Sequence, residues 1–332
     1  MNPFFMNELS LFLNVKFLHY ILSMFVGLTT LHLNAQEYEP SEEDSTSLTP
    51  IVKKGFHAGI YVGAYWANKS TAYLYDGYGF DQNGQRNSFT NSILYNQIVN
   101  VYGSGNGGTD YIAQLLNVNP GDWYFNEQDM PINLRYTTTY LIGLNTRYRI
   151  NKKESITLNA YGTKLVVNGK FTISSVTSTN FGSGSSSQAR INEFTIIGAE
   201  QRLMFQLGYQ RILGDNEKLN FMVEGGLNII LAKTQKNQAI LTSNNPNLSQ
   251  NSITIDLMNI YNQPPYNFYT SKYMTGVGIG FFGGFGLNLN INPRYSIQLL
   301  YSPSFDRISL GYEPKFKLQH GVGLRVYYNF NK

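Results

Sequence analysis

The sequence predicts an all-β fold, a transmembrane antiparallel up-and-down β-barrel of eight strands with long extracellular loops and short periplasmic turns. Three observations lead to this prediction. Apolar and polar residues alternate along several long segments, short polar turns follow every second segment, and the chain is rich in glycine (31) and tyrosine (25) but only 14% charged. Few charges and abundant aromatics suit lipid-facing strands with aromatic girdles at both interfaces.

The alternation is clearest in residues 315–330, at the carboxyl end. A period of two belongs to a strand whose two faces meet different surroundings. Strands of soluble proteins are usually about 5–6 residues long, whereas a membrane strand needs about 9–11. This segment is therefore predicted to close the barrel. Its outward set is Phe316, Leu318, His320, Val322, Leu324, Val326, Tyr328 and Phe330.

Residues 1–35 are predicted to be an export signal. Lys16 precedes a mostly apolar run, and Ala35 is a small residue at the expected cleavage point. An uncleaved inner-membrane anchor is the alternative, but no later run of about 18 apolar residues would hold the chain in that membrane. Residues 36–54 are acidic and lack a core-forming pattern, so they are predicted to be a flexible periplasmic lead-in to a barrel domain, 55–332.

The composition also excludes some classes of function. The net charge of +4 is small and dispersed, unlike the clustered basic face of a nucleic-acid-binding protein. The chain has no cysteine, so it offers no disulfide, zinc–thiolate site or cysteine nucleophile. No cofactor is expected.

The first predicted strand covers 56–66 and precedes a long loop, 67–131. Within that loop, Asp110 and the helical spacing of the following apolar residues predict one short helix over 110–116. The second strand, 136–150, then ends at a tight polar turn.

The third strand begins at Ile156 and runs to 166, and its blurred phase predicts a bulge near Gly162. A Ser/Gly-rich loop, 174–190, leads to the fourth strand, 194–213. A short turn then leads directly into the fifth strand, 219–231.

The fifth strand leads to a second long loop, 233–271. The sixth strand, 273–291, and the seventh, 295–301, are joined by a short turn, and a loop over 302–314 precedes the closing strand. Long and short connections thus alternate, which predicts that both chain ends lie on the periplasmic side.

This rhythm of strands and loops over 56–330, with aromatic Phe330 near the end, resembles the OmpA/OmpX-like superfamily of small outer-membrane barrels in Gram-negative bacteria. The resemblance implies outer-membrane location and insertion by the barrel-assembly machinery, for which Phe330 would be the signal. Asn331 and Lys332 follow it, which departs from that pattern. Implied partners are outer-membrane lipid, lipopolysaccharide and an unknown extracellular or periplasmic protein. Because such barrels serve as anchors, adhesins, assembly parts and enzymes, the resemblance names no activity.

The interior of an eight-stranded barrel is just filled by side chains. Charged residues on the inward face are therefore expected to pair with Glu224, asparagine and tyrosine, since unpaired burial is costly. The predicted interior network is Arg147, Arg149, Arg202, Glu224 and Arg325.

One stretch of the first long loop combines aromatic rings with carboxylates. Such groups can bind sugars, peptides or cations, and they can equally pack as a lid over the barrel mouth. The lid is favoured because loops with this much apolar surface usually bury it by packing against their own side chains. The candidate binding residues are Asp122, Trp123, Tyr124, Phe125 and Asp129.

Catalytic motifs are weak. Residues 278–283 match G-x-G-x-x-G, but strand alternation continues where a dinucleotide site needs a helix. His57 is predicted at the periplasmic end and His320 toward lipid, so neither suits a hydrolase at the outer rim. We therefore predict a non-enzymatic barrel whose loops serve structural, adhesive or assembly interactions. The alternatives are a porin-like or hydrophobic-solute transport barrel, with extra strands from 88–102 or 253–261, and a surface lipid or peptide hydrolase.

Overall fold

The fold is taken from a computed structural model of the chain. The predicted export signal and the acidic lead-in lie outside the described residues, as do Tyr273 and residues 244–251 and 259–271 of the predicted loop before it. The structure describes residues 55–81, 85–103, 110–181, 184–216, 218–243, 252–258, 275–310 and 314–330.

All strands of the described residues belong to one sheet, in which every pairing is antiparallel. The strands are β1 Gly55–Trp66, β2 Trp123–Tyr124, β3 Ile132–Tyr136, β4 Thr139–Arg149, β5 Glu154–Phe181, β6 Gly184–Leu213, β7 Leu219–Thr242, β8 Ser252–Asp256, β9 Thr275–Asn290, β10 Tyr295–Tyr301, β11 Ser304–Ile308 and β12 Phe316–Asn329.

The sheet closes on itself. β1 pairs with both β12 and β4, and the order continues through β5, β6, β7 and β9. Strands β10 and β11 occupy the same position in the ring, one after the other, because each pairs with β9 on one side and with β12 on the other. The result is a ring of eight members. A closed ring leaves no unpaired strand edge.

Side chains alternate across the wall of the ring as the sequence predicts. On β1, Tyr61 and Tyr65 point inward and are buried, while Ile60 and Val62 point outward and are exposed. Interior glycines make room for bulky neighbours: a Cβ at Gly323 would lie 2.5 Å from Cζ of Tyr61.

The three short turns lie at one end of the ring, where each is closed by an asparagine. The side chain of Asn151 accepts hydrogen bonds from the backbone amides of the residues two and three positions later, at 2.8 and 2.9 Å. Asn292 does the same at 2.9 and 2.8 Å, and Asn216 bonds the amide of Lys218 at 2.9 Å. Asparagine favours such turns because its short amide mimics a backbone carbonyl.

The predictions of two loops are partly wrong, because strands continue into both segments. Within 174–190, β5 and β6 stay paired up to Phe181 and Gly184. Within 233–271, β7 continues to Thr242. The bulge predicted near Gly162 is also wrong: the register there runs unbroken, and shifts occur instead between Ala199 and Glu200 and between Ile132 and Arg135. Serine and glycine had suggested loops, but pairing to an already aligned partner strand outweighs their weak strand propensity.

The predicted loop 302–314 also contains a strand, β11, which resumes the pairing of β10 after Ser302 and Pro303. Proline lacks an amide proton, so a break in the ladder is expected there. The extra strands of the transport alternative do not enlarge the ring within the described residues. Residues 88–102 are mainly helical, and β8 pairs with β7 over 238–242, beyond the part of β7 that pairs with β9.

The long-loop end of the ring carries a helical cap, which we define as residues 67–81, 85–103 and 110–136. Its helices are 3₁₀ helices at Lys69–Tyr75, Phe89–Asn91 and Glu127–Asp129, α1 at Ile93–Tyr95, a π-helix at Asn96–Gly103 and α2 at Tyr111–Leu116. The prediction of α2 is confirmed. Its N-cap is Asp110, which accepts from the amide of Ala113 at 2.8 Å.

The main apolar core lies between the cap and the inner faces of the extended strands β5, β6 and β7. It includes Leu94, Ile98, Ile112, Leu116, Phe125, Phe171, Ile196 and Leu241. The upper halves of these strands pack their inner faces against the cap, and this packing stabilises their extension. No helix among the described residues is long and apolar enough to cross a membrane.

Candidate functional site

A charged pair lies inside the ring and joins strands from opposite walls. Arg325 of β12 donates two hydrogen bonds to Glu224 of β7, from Nη1 at 2.6 Å and from Nη2 at 2.7 Å. Nη2 also contacts the Tyr161 hydroxyl at 2.8 Å, which accepts from Asn145 at 2.7 Å. A planar guanidinium matches a carboxylate in this two-bond geometry. The structure thus pairs Glu224 with an arginine, as the sequence analysis expects.

A second pair lies where the ring meets the cap. Arg202 donates from Nε to Glu200 at 2.6 Å, and its Nη2 bonds Thr71 of the cap at 2.9 Å. Tyr136, on β3, donates its hydroxyl proton to Glu200 at 2.6 Å. This cluster ties the cap to the ring through buried polar contacts.

Sequence reasoning missed Glu200. Its position two residues before Arg202 was the available signal, since residues two apart share one face of a strand. The register shift next to Glu200 breaks the regular alternation there, so the pattern alone did not mark it as inward. Asp306 was missed because its segment was predicted to be a loop. It is buried on β11 and accepts hydrogen bonds from Ser304 and Asn228.

The two remaining arginines of the predicted network, Arg147 and Arg149, lie near the turns. Arg147 donates to Ser296 at 2.8 Å and reaches Gln210 at 3.5 Å. Its guanidinium carbon lies 4.3 Å from the ring centre of Tyr327. Arg147 thus contacts a tyrosine, as expected for the interior charges, whereas Glu224 is bound by Arg325.

The predicted loop residues lie in the cap, and most of them make internal contacts. Asp122 accepts from Asn119 at 3.0 Å, and Trp123 donates its indole proton to Asp110 at 2.7 Å. Phe125 is buried, with its ring centre 5.8 Å from that of Phe89. Asp129 accepts from the Thr172 hydroxyl and from the amide of Asn126. Tyr124 is 43% exposed. Their ligand-binding role stays a prediction.

An ion pair also stabilises the first part of the cap. Both Nε and Nη2 of Arg86 contact Oδ2 of Asp76, at 3.0 and 2.7 Å, and the guanidinium carbon lies 3.6 Å from the ring centre of Tyr78. Burial raises the pKa of the Asp76 carboxyl above its ordinary value, while its hydrogen bond from the Tyr78 amide and the charge of Arg86 oppose that rise. The pair holds the strand-like segment at 85–87 against the segment at 76–80.

A cavity of about 250 Å³ lies between the cap and the ring, beside β11 and β12. Its lining combines apolar residues, such as Ile308 and Leu310, with polar ones, such as Lys317 and Gln319. Such a mixed lining can accommodate a small solute that has both apolar and polar parts.

The two histidines among the described residues lie at opposite ends of the ring. His57 pairs with Asn329 near the turns, whereas His320 pairs with Trp66 near the cap and bonds the Tyr301 hydroxyl at 2.8 Å. The G-x-G-x-x-G match lies inside β9, with no helix behind it. Over the part of the chain that the structure describes, no three His, Asp or Glu residues are grouped to hold a metal ion. The expectation of a non-enzymatic protein stays a prediction.

No protein-family model and no curated protein matches the chain. Solved structures that match include the N-terminal β-barrel domain of OprF from Pseudomonas aeruginosa, with 15% identity, 60% of this chain and 93% of that chain covered, and a TM-score of 0.24. Ail, the attachment invasion locus protein of Yersinia pestis, matches with 11% identity, coverages of 83% and 99%, and a TM-score of 0.29. The outer membrane protein OprG from P. aeruginosa matches with 9% identity, coverages of 84% and 98%, and a TM-score of 0.34.

These matched proteins are small outer-membrane β-barrel proteins of the OmpA/OmpX-like type, the class that the sequence resembles. At such low identities and TM-scores, the fold of this chain rests on its own strand pairing.

Proposed function

We propose that this protein is an eight-stranded outer-membrane β-barrel with a side-chain-filled interior. It is non-enzymatic, with long extracellular loops and short periplasmic turns. Its loops serve structural, adhesive or assembly interactions. Outer-membrane lipid and lipopolysaccharide surround it, the barrel-assembly machinery inserts it, and its loops or turns contact an unknown extracellular or periplasmic protein.

The observation that carries this proposal is the apolar outer wall of the ring. Leu227 on β7, Phe281 on β9 and Leu324 on β12 are 55%, 60% and 50% exposed, respectively, and they belong to outward rows of mostly apolar residues. Soluble monomers rarely expose contiguous apolar patches of more than a few hundred Å². Lipid contact removes the cost of exposing such a belt to water.

The apolar belt has an upper limit toward the cap. Lys164, Gln201 and Lys233 lie side by side in register on β5, β6 and β7. Beyond this row the outward residues become polar, as Asn168 and Gln235 illustrate. The change from apolar to charged outward residues is expected where strands leave the hydrocarbon layer.

Toward the turns, the apolar belt ends in a row of outward aromatic side chains. Tyr148, Tyr209, Tyr295 and Phe330 face outward near the turns, where tyrosine and phenylalanine suit the membrane interface. On β6, about eight residues separate Tyr209 from the Gln201 row. At about 3.3 Å each and a tilt of about 40°, they span roughly 20 Å, close to the apolar band of about 25 Å in such barrels.

The filled interior supports a structural role over a channel. The guanidiniums of Arg147, Arg202 and Arg325 and the rings of Tyr61 and Tyr327 are buried within the ring. Eight strands leave an interior of about the width that side chains fill. The cap covers the long-loop end.

Planar-bilayer recording tests this proposal. The purified, refolded protein is expected to give no steady large single-channel steps, because buried side chains block the interior. A porin reconstituted at the same protein-to-lipid ratio is the positive control. Regular, reproducible conductance steps would contradict a filled interior and support the transport alternative.

The transport alternative is favoured by one observation, the cavity of about 250 Å³ between cap and ring. A barrel that admits small or hydrophobic solutes would take them up there. Uptake of a labelled apolar solute into protein-containing liposomes, compared with empty liposomes, distinguishes the two proposals.

A further inference from the structure

A small cavity lies at the turn end of the ring. Arg147, Arg149, Arg294, Asn292 and Ser296 are among its lining residues. Its volume is about 10 Å³, which is room for about one water-sized atom. No aspartate or glutamate is among the lining residues that the structure describes. The lining is therefore strongly cationic.

The two strand arginines of this cavity are almost completely buried. Arg147 is 1% exposed and Arg149 is 3% exposed. Among the described residues, the partners of Arg147 are neutral: Ser296, Gln210 and the ring of Tyr327. Its Nε has no hydrogen-bond partner in the described structure.

Arg149 is more isolated than Arg147. Its Nε likewise lacks a partner, and its guanidinium makes no ion pair with any acid in the described parts of the chain. A buried charge without partners is costly, and proteins normally pair it or bind a counter-ion. Arg149 therefore lines the cavity as an unsatisfied donor.

The acids inside the ring do not supply the missing charge. Glu224 is bound by Arg325 through both oxygens. Glu200 is bound by Arg202 and Tyr136. Asp306 accepts from Ser304 and Asn228. Within the described residues, carboxylates thus partner two interior arginines and none partners the pair at the turns.

We propose that this cavity is a binding site for a small oxyanion, of the carboxylate or phosphate class. One anion oxygen lies in the cavity between Arg147 and Arg149, and the rest of the ligand extends toward the turn end, near Arg294. Guanidinium groups bind oxyanions strongly because their N–H donors match the oxygen lone pairs. The inference depends on the buried arginines and not on the proposed role of the loops.

Equilibrium dialysis with radiolabelled inorganic phosphate tests the site. The protein is refolded in a neutral maltoside detergent, which contains no phosphate. Saturable binding of about one phosphate per chain is expected, and acetate should compete while chloride at equal ionic strength should compete far less. An absence of saturable binding would overturn the proposal, and equal competition by chloride would overturn the oxyanion assignment.

Matched variants locate the binding. Arg149→Gln should raise the dissociation constant for phosphate at least tenfold. Arg149→Lys should raise it less, because it keeps the charge but loses the fork of donors. Arg211→Gln removes an exposed arginine on the outer wall near the same turns and should change binding less than twofold. The heat-dependent gel mobility of each variant checks folding. Unchanged binding in a folded Arg149→Gln protein would place the anion elsewhere and refute the proposal.

Discussion

Arg325 shows how a charge can be stable inside this ring. It is buried, yet Glu224 and Tyr161 together accept three hydrogen bonds from its two terminal nitrogens. Removing two ions from water costs several kcal/mol, and only good geometry with further hydrogen bonds offsets that cost. Because β7 and β12 are separated along the ring, the pair also joins opposite walls across the interior.

At this scale we expect Glu224→Ala to destabilise the protein by about 3–5 kcal/mol, since Arg325 would remain buried without a counter-charge. Urea unfolding of the refolded protein in detergent, followed by tryptophan fluorescence, measures the loss. The double variant Glu224→Met with Arg325→Met is the control and should recover most of the stability. A loss below about 1 kcal/mol in the single variant would show that water or another group already compensates Arg325.

The interior residues also show where sequence reasoning stops. Alternation identified the inward positions of Arg202, Glu224 and Arg325, because a period of two is a local property. It did not identify the partner of each arginine. Partners depend on which strands face each other across the closed ring. The distance between two side chains across the ring is not set by their separation along the chain.

At the scale of elements, the strands divide into a lower part with apolar outward side chains and an upper part with polar outward side chains. β5 and β6 remain in continuous register well past the row at Lys164 and Gln201, up to Phe181 and Gly184. The upper parts of β5, β6 and β7 turn apolar inner faces toward the cap, including Val167, Phe171 and Ile196. These extensions serve the packing of the cap.

We therefore expect the tip of the β5–β6 hairpin to be dispensable for membrane insertion. Replacing residues 177–188 with Asn-Gly would join the paired residues Val176 and Ala189 through a two-residue turn that suits antiparallel strands. Outer-membrane fractionation and heat-modifiable gel mobility should match those of the unaltered protein. Loss of either property would show that the tip takes part in insertion.

At the scale of the whole molecule, two apolar regions stabilise the fold in different surroundings. The cap core is enclosed by protein, whereas the outer wall of the ring is exposed in the isolated chain. The polar interior lies between them. This order is the reverse of a soluble barrel, in which apolar side chains fill the interior and polar ones face water.

The reversed order predicts the effect of a charge on the outer wall. Leu227→Arg, near the middle of the apolar belt, should cost about 2–4 kcal/mol of membrane stability and reduce insertion. Gln235→Arg is the matched control on the same face of β7, beyond the row at Lys233, and should have little effect. Folding into liposomes, followed by gel mobility, measures both. Normal insertion of Leu227→Arg would contradict lipid contact at that wall.

The sequence by itself determined the local features of this protein: the alternating faces, the three asparagine-closed turns and helix α2. Each depends on residues only a few positions apart, so the pattern is visible along the chain. The tertiary structure alone decided how far β5, β6 and β7 extend, that β11 resumes the ladder of β10, and that Glu200 neutralises Arg202. It also placed Arg147 and Arg149 where no carboxylate of the described residues pairs with them. These features arise from register and packing between distant segments, because a strand continues wherever an aligned partner and an apolar core stabilise it.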